Sequence, residues 1–168
     1  MPAAQEFRRR SARVLLLDGA DRVLLLKFHV DPGDPAAGHG WSTPGGGIEE
    51  GEQPAEAAAR ELREEIGLTV TPARLGRLVA ETSGYADLGW AAGQFEDLYF
   101  HLRVADHRVD TSGQLADERR YHAGHRWWTI DELAATRETV HPLGLTGLLA
   151  ELVAGRIPER PVRLPWQH

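Results

Sequence analysis

A mixed α/β or α+β fold, with helices covering a mixed β-sheet, is predicted by three features of the chain. Short apolar runs bounded by turn residues alternate with helical stretches. The stretch from Pro54 to Ile66 has the composition and end signals of a helix. The 168 residues include 42% hydrophobic and 26% charged, ordinary values for one globular domain. A chain of this length buries roughly 70% of the surface that its unfolded form exposes, so no staple is needed to hold it.

The elements follow in order. After an arginine-rich lead, "ARVLLLD" and "RVLLLKF" flank the turn "GADR" and read as a hairpin of strands buried on both faces. "VDPGDPAAGHG" (30–40) is a turn-rich loop. In "GWSTPGGGIEEGEQP" (40–54) the glycines and prolines exclude a helix until Pro54, which suits a first helical position. Gly67 stops that helix. Strands are predicted at 74–82, 97–104 and 125–130, and closing helices in "IDELAATRE" and "LGLTGLLAELVAG". The proline-rich tail, about 156–168, reads as extended. No internal repeat or linker divides the chain, so one domain over 1–168 is expected.

Composition also removes several chemistries. There is no cysteine, which excludes disulfides, thiolate metal sites and cysteine nucleophiles. Asp18 and Lys27 interrupt the N-terminal apolar runs too soon for a signal peptide or a spanning helix, and cytoplasm is the default location. A formal net charge of −6 argues against a broad grip on nucleic acid, and sequence-specific binding to it is not expected. An anionic ligand would need compensation, for instance by a divalent cation.

The helix "RELREEIGL" (60–68) carries the chemistry. At 100° per residue Ala55, Ala58, Ala59, Leu62 and Ile66 fall on one face, fit to pack on a sheet. Glu61, Glu64 and Glu65 occupy a neighbouring arc, with Glu61 and Glu65 one turn apart, and their like charges need relief. Arg60 lies four residues from both Glu56 and Glu64, so a solvated salt-bridge network is one reading. The other is a site for Mg²⁺ or Mn²⁺, which prefer carboxylates and water. Gly45, Gly46 and Gly47 just before the helix allow close backbone approach to such a ligand.

From Gly46 through Glu52, Arg60, Glu61, Leu62, Glu64, Glu65 and Gly67 to Leu68, the chain matches GX5EX7REUXEEXGU, U being aliphatic. This resembles the signature of the Nudix hydrolases, and "WSTPGG" and "RWWTIDEL" extend the likeness. The resemblance implies an α/β/α sandwich and metal-dependent hydrolysis of a diphosphate bond in a nucleoside diphosphate derivative or a nucleoside triphosphate. It implies Glu61 and Glu65 as metal ligands, Glu64 sharing a metal, the carbonyl of Gly45 as a backbone ligand, and Arg60 with Glu52 as a supporting pair. The base that activates water is Glu64 or a glutamate from a later loop, with Glu118 the candidate and Glu96 second.

Tyr85 and Trp90, in a glycine-flanked segment, are candidate substrate contacts, whereas Trp41, Trp127, Trp128, Phe95 and Tyr99 read as packing. His122 and His125 form HXXH, but no third ligand is evident. The alternative function is a non-catalytic nucleotide sensor on the same fold, although no box residue is lost. An isopentenyl diphosphate isomerase of the cysteine-dependent kind is disfavoured by the lack of cysteine. The box leaves the substrate open among nucleotide derivatives, and a homodimer is compatible with a sequence that marks no interface.

Overall fold

A computed structural model describes residues 9–89 and 91–166. The alternation of β1 (Arg9–Leu17) organises the molecule. Ala12, Val14 and Leu16 face one core, and Leu15 and Leu17 face the other. Every one of these side chains is at most 1% exposed, as expected for a strand covered on both sides.

β1 meets β2 (Val23–His29) in an antiparallel hairpin, Leu17 opposite Val23. β2 then lies between β3 (His39–Ser42) and β7 (His122–Trp128), both antiparallel to it, and β8 (Val140–His141) extends beyond β3. β1 itself lies between β4 (Gly45–Gly47), antiparallel, and β6 (Ala92–Arg103), parallel over nine register pairs. β5 (Ala80–Asp87) pairs antiparallel with β6, and β9 (Val162–Arg163) adds a parallel edge to β5. The result is a mixed sheet with helices on both faces.

Helix α1 (Pro54–Ile66) ends at Gly67 in the left-handed conformation, with the bounds predicted. Its Ala57, Ala58, Leu62 and Ile66 are wholly buried on the Val14 face. Ala57 takes a buried place that the helical wheel did not give it, while Ala55 is only partly covered. On the Leu15 face, Leu133 of α3 (Ile130–Ala135) and Leu145, Leu148, Leu149 and Leu152 of α4 (Leu145–Val153) close the second core. α2 (Ala116–Tyr121) is short and stands outside both cores.

Three sequence expectations need correction. Residues 74–82 are not one strand: Pro72–Leu75 forms a 3₁₀ turn that buries Leu75 beside α1, Gly76 (φ 64°) breaks the chain, and the strand runs over Ala80–Asp87. The strand expected at 97–104 begins at Ala92 because its first residues pair with Ala86 and Asp87, a partner five or more residues away that local patterning does not reveal. The helix in "IDELAATRE" stops at Ala135, and Glu138 instead accepts a hydrogen bond from Trp41 Nε1 (3.3 Å). Among the described residues, no helix is long and apolar enough to cross a membrane.

Candidate functional site

Among the described residues β4 pairs only with β1, so one of its backbone edges is open, and α1 fills that edge with side chains. The Gly45 N–H donates to Glu65 Oε2 (2.9 Å), and the Gly47 carbonyl accepts from Arg60 Nη2 (2.9 Å). Two glycines are sterically required here. Gly45 has φ 145°, and a methyl on it would lie 2.3 Å from the Ala12 carbonyl oxygen. A methyl on Gly46 would lie 2.6 Å from the Glu61 carboxyl carbon, so this glycine makes room for a carboxylate that is itself only 7% exposed.

Arg60 holds the acidic side together. It grips Glu52 with two bonds, Nε to Oε2 (2.9 Å) and Nη2 to Oε1 (3.0 Å), a fork geometry suited to a carboxylate. Its Nη1 also donates to Glu61 Oε1 (2.9 Å) and, at 3.4 Å, to Glu64 Oε2. The hydrogen bond from Arg60 keeps the Glu52 carboxyl below its usual range, and the same bond raises the Arg60 guanidinium further above its own. The possible Arg60–Glu56 pair gives way to these contacts. Glu56 instead accepts from the Gln53 N–H (3.1 Å) at the helix start.

Glu118 arrives from α2, placed by a loop docked on the end of α1. His107 Nε2 lies 2.8 Å from the Ile66 carbonyl oxygen and the Asp110 N–H donates to it at 3.0 Å, while Gln114 Nε2 donates to the Glu65 carbonyl (3.2 Å). These contacts satisfy carbonyls that a helix end otherwise leaves open. Oxygens of Glu61, Glu64 and Glu118 then lie within 4.8 Å of one another. Glu118 Oε2 is buried and has no hydrogen-bond partner among the described residues.

The electrostatics follow from crowding. Burial raises the Glu61 carboxyl, against the pull of Arg60. Burial, then repulsion from Glu61, raises Glu118. Glu65 is pushed up to about 8, chiefly by burial, although the Gly45 N–H favours its charged form. A buried acceptor without a donor and several carboxylates that resist ionisation fit a hard divalent cation, for which oxygen ligands and negative charge are the requirement.

The other named candidates lie elsewhere. Glu96 is paired with Arg10 (2.8 Å) on β6 and is outside the three-carboxylate group. Tyr85 stands 61% exposed on β5, and Trp90 lies outside the described residues. Trp41, Trp128, Phe95 and Tyr99 are buried, as packing residues should be. His122 and His125 lie on β7 and are not part of the carboxylate group. The sequence reading missed Arg13, whose Nη1 donates to the Thr43 carbonyl (3.0 Å) and whose Nε reaches Asp97 at 3.5 Å. A charged residue at an inward position of an otherwise apolar strand was the available signal.

An RNA pyrophosphohydrolase of Gluconacetobacter diazotrophicus is 43% identical over 61 residues, which covers 35% of this chain and 36% of that protein. The chain thus aligns with about a third of that relative's length. The MutT protein of Methanosarcina mazei has a similar structure, with a TM-score of 0.61 at 17% identity over 91% of this chain and 98% of that one. The dihydroneopterin triphosphate pyrophosphohydrolase of E. coli does too, at TM-score 0.61 and 18% identity over 89% and 99% of the two chains. At such identities the structures establish a shared fold. The sequence matches the NUDIX domain over residues 7–146, and the chain belongs to that family.

Proposed function

We propose that the protein is a metal-dependent pyrophosphohydrolase, cleaving a diphosphate bond in a nucleoside triphosphate or a nucleoside diphosphate derivative. The observation that carries this reading is the meeting of Glu61, Glu64 and Glu118, with Glu118 Oε2 buried and without a hydrogen-bond partner among the described residues, beside two further acids. A surface salt-bridge network would leave such an oxygen solvated or paired.

In this reading Glu61 and Glu65 are the principal ligands for Mg²⁺ or Mn²⁺, with Glu64 and the Gly45 carbonyl completing the set. Bound divalent ions would supply charge neutralisation of the diphosphate and a lowered pKa for attacking water. Glu118 is the favoured base: it reaches the group from a different element than the helix ligands, and burial, then repulsion from Glu61, raises its carboxyl above the usual range, the direction that strengthens a base. Arg60, fixed by Glu52, keeps Glu61 and Glu64 close together and offsets their repulsion. The intact acidic box favours an enzyme over a nucleotide sensor.

The test is incubation with Mg²⁺ or Mn²⁺ and a panel of nucleoside triphosphates, oxidised triphosphates, nucleotide sugars, ADP-ribose, NADH, dinucleoside polyphosphates and 5′-triphosphorylated RNA. The RNA belongs in the panel because of the relatives' names. Cleavage at a diphosphate bond, abolished by EDTA, is expected for at least one compound. Tight binding without cleavage of any compound would instead support the sensor.

A further inference from the structure

α2 carries Glu118, yet none of its own residues is buried, so apolar burial does not fix it in place. A helix of six residues is also too short to be stable by itself. Its like-charged neighbours do not draw it in either, because Glu118 meets Glu61 and Glu64 with oxygens within 4.8 Å. What holds α2 lies in the segment before it, where the chain crosses the last turn of α1.

That crossing is close. A methyl on Gly67, which ends α1 at φ 71°, would lie 2.8 Å from Asp110 Cβ, so the helix stop is also a slot for the incoming loop. Asp110 turns the chain, its Oδ1 accepting the Ser112 N–H (3.0 Å). A methyl on Gly113 would lie 3.1 Å from the Glu64 carbonyl oxygen, tighter than side chains pack without a shift. The next residue, Gln114, is 6% exposed and is the one buried residue in the run 105–121. A glutamine is seldom buried, and this one is held at both ends: its N–H donates to the Thr111 carbonyl (3.0 Å) and its Nε2 to the Glu65 carbonyl (3.2 Å). One turn later comes Glu118. Arg119 Nη2 donates back to the Ser112 carbonyl (3.0 Å), so α2 and the turn form one piece, joined to α1 at Gln114.

We propose that Gln114 is a positioning residue, a latch that sets the distance between Glu118 and the carboxylates of α1. The inference rests on the reading that Glu118 takes the proton of the attacking water. Glu65 offers its side chain to the metal in that reading, and its backbone carbonyl is the point that Gln114 grips. Base and ligand are thereby registered to each other through one hydrogen bond and a single turn of chain. A displacement of about 1 Å at a reacting group costs up to about 10²-fold in rate, so a residue that touches neither water nor substrate controls turnover.

The test is hydrogen exchange of the metal-free full chain, comparing wild type with Gln114→Met and Gly113→Ala. Kinetics then follow with the panel compound that wild type cleaves fastest, each variant being made again on Glu118→Gln. Methionine keeps the length and apolar surface of the side chain but donates nothing. In Gln114→Met, exchange over 114–121 should quicken about fivefold or more, while Pro54–Ile66 exchanges as in wild type and so reports an intact fold. kcat should fall about tenfold with KM within about twofold, because a misplaced base leaves binding alone. On Glu118→Gln the same substitution should cost less than about twofold, since the group it positions is gone. Gly113→Ala, which presses on the Glu64 carbonyl, should move the same readouts by less. Wild-type exchange over 114–121 in both variants, or a fall in kcat as large on Glu118→Gln as on wild type, would overturn the latch. Wild-type kcat in Glu118→Gln would overturn the base and with it the positioning role. No turnover by wild type would overturn the proposed activity alone, and exchange would still decide whether Gln114 anchors α2.

Discussion

On one side of α1, Leu62 and Ile66 are wholly buried against the sheet, while one residue from Leu62 the Glu61 side chain is almost as inaccessible, at 7% exposure. The two burials have opposite energetic sign. Apolar area removed from water stabilises the fold, whereas a carboxylate removed from water resists ionisation, as the raised Glu61 and Glu65 show. The acidic side therefore depends on imported partners: Arg60, the Gly45 amide, and a glycine at 46 small enough to admit Glu61. One helix thus both anchors the core and carries groups the core would reject, a division expected where function overrides local preference.

The sharpest way to break this comparison is Glu61→Gln. Activity at saturating metal should fall on the order of 10³-fold, since the proposed ligand is lost and not a packing contact. The melting temperature should hold or rise, because a buried charge is removed while Arg60 keeps Glu52. Steady-state kinetics alongside a thermal melt measure both; activity within tenfold of wild type would end the ligand assignment. Leu62→Ala makes the converse prediction. Its stability loss should be about 2–5 kcal/mol by urea denaturation, while kcat per folded molecule stays near wild type. A large fall in kcat with little loss of stability would mean that the two sides are not separable.

A third prediction uses pH in metal-free protein. Glu65 is raised from an ordinary 4.5 to about 8, so the folded state holds its proton more tightly than the unfolded state does. Its stabilising contribution is complete below pH 4.5, declines as pH rises, and is gone above about 8. Glu61 and Glu118 are shifted the same way. His101 and His122, both lowered by burial, act in the opposite sense as pH falls below 6.5, and Glu52 and Asp18 matter only in stronger acid. In EDTA the melting temperature should therefore fall between pH 6.5 and 8, by about 2–4 °C for each kcal/mol involved. Glu65→Gln should flatten that slope, and an unchanged slope would show that Glu65 is not its source.

How much of this was legible beforehand differs between the same two regions. The span Gly45–Gly67 could be read closely because its signals are local: proline at the first turn, glycine at the last, a 3.6-residue apolar period and a fixed box. Glu118 could be named, but the docking that presents it could not, since that depends on His107, Asp110 and Gln114 meeting the end of α1. Arg13 with Asp97 and Trp166 on Gly84 were illegible for the same reason. Each joins residues more than eighty positions apart through register, and register across a sheet leaves little local trace. The strand expected at 74–82 failed where apolar residues served a turn that plugs α1, so hydrophobicity was read correctly and its geometry was not.

The smallest effect sharpens the division along α1 itself. Glu56 is acidic like Glu61, Glu64 and Glu65, but it is exposed, and its Oε1 accepts the Gln53 N–H (3.1 Å) at the first turn, where a helix leaves amides unpaired and favours negative charge. Glu56→Ala should lower stability by about 0.5–1 kcal/mol, the scale of a lost cap, with kcat and KM within twofold of wild type. Arg60 accounts for the difference: its fork is fully occupied by Glu52, Glu61, Glu64 and the Gly47 carbonyl, leaving Glu56 to the backbone. If Glu56→Ala cut kcat tenfold, the acidic side would be one extended electrostatic field. If kcat is untouched, the site begins one turn later, where Arg60 gathers the carboxylates against β4.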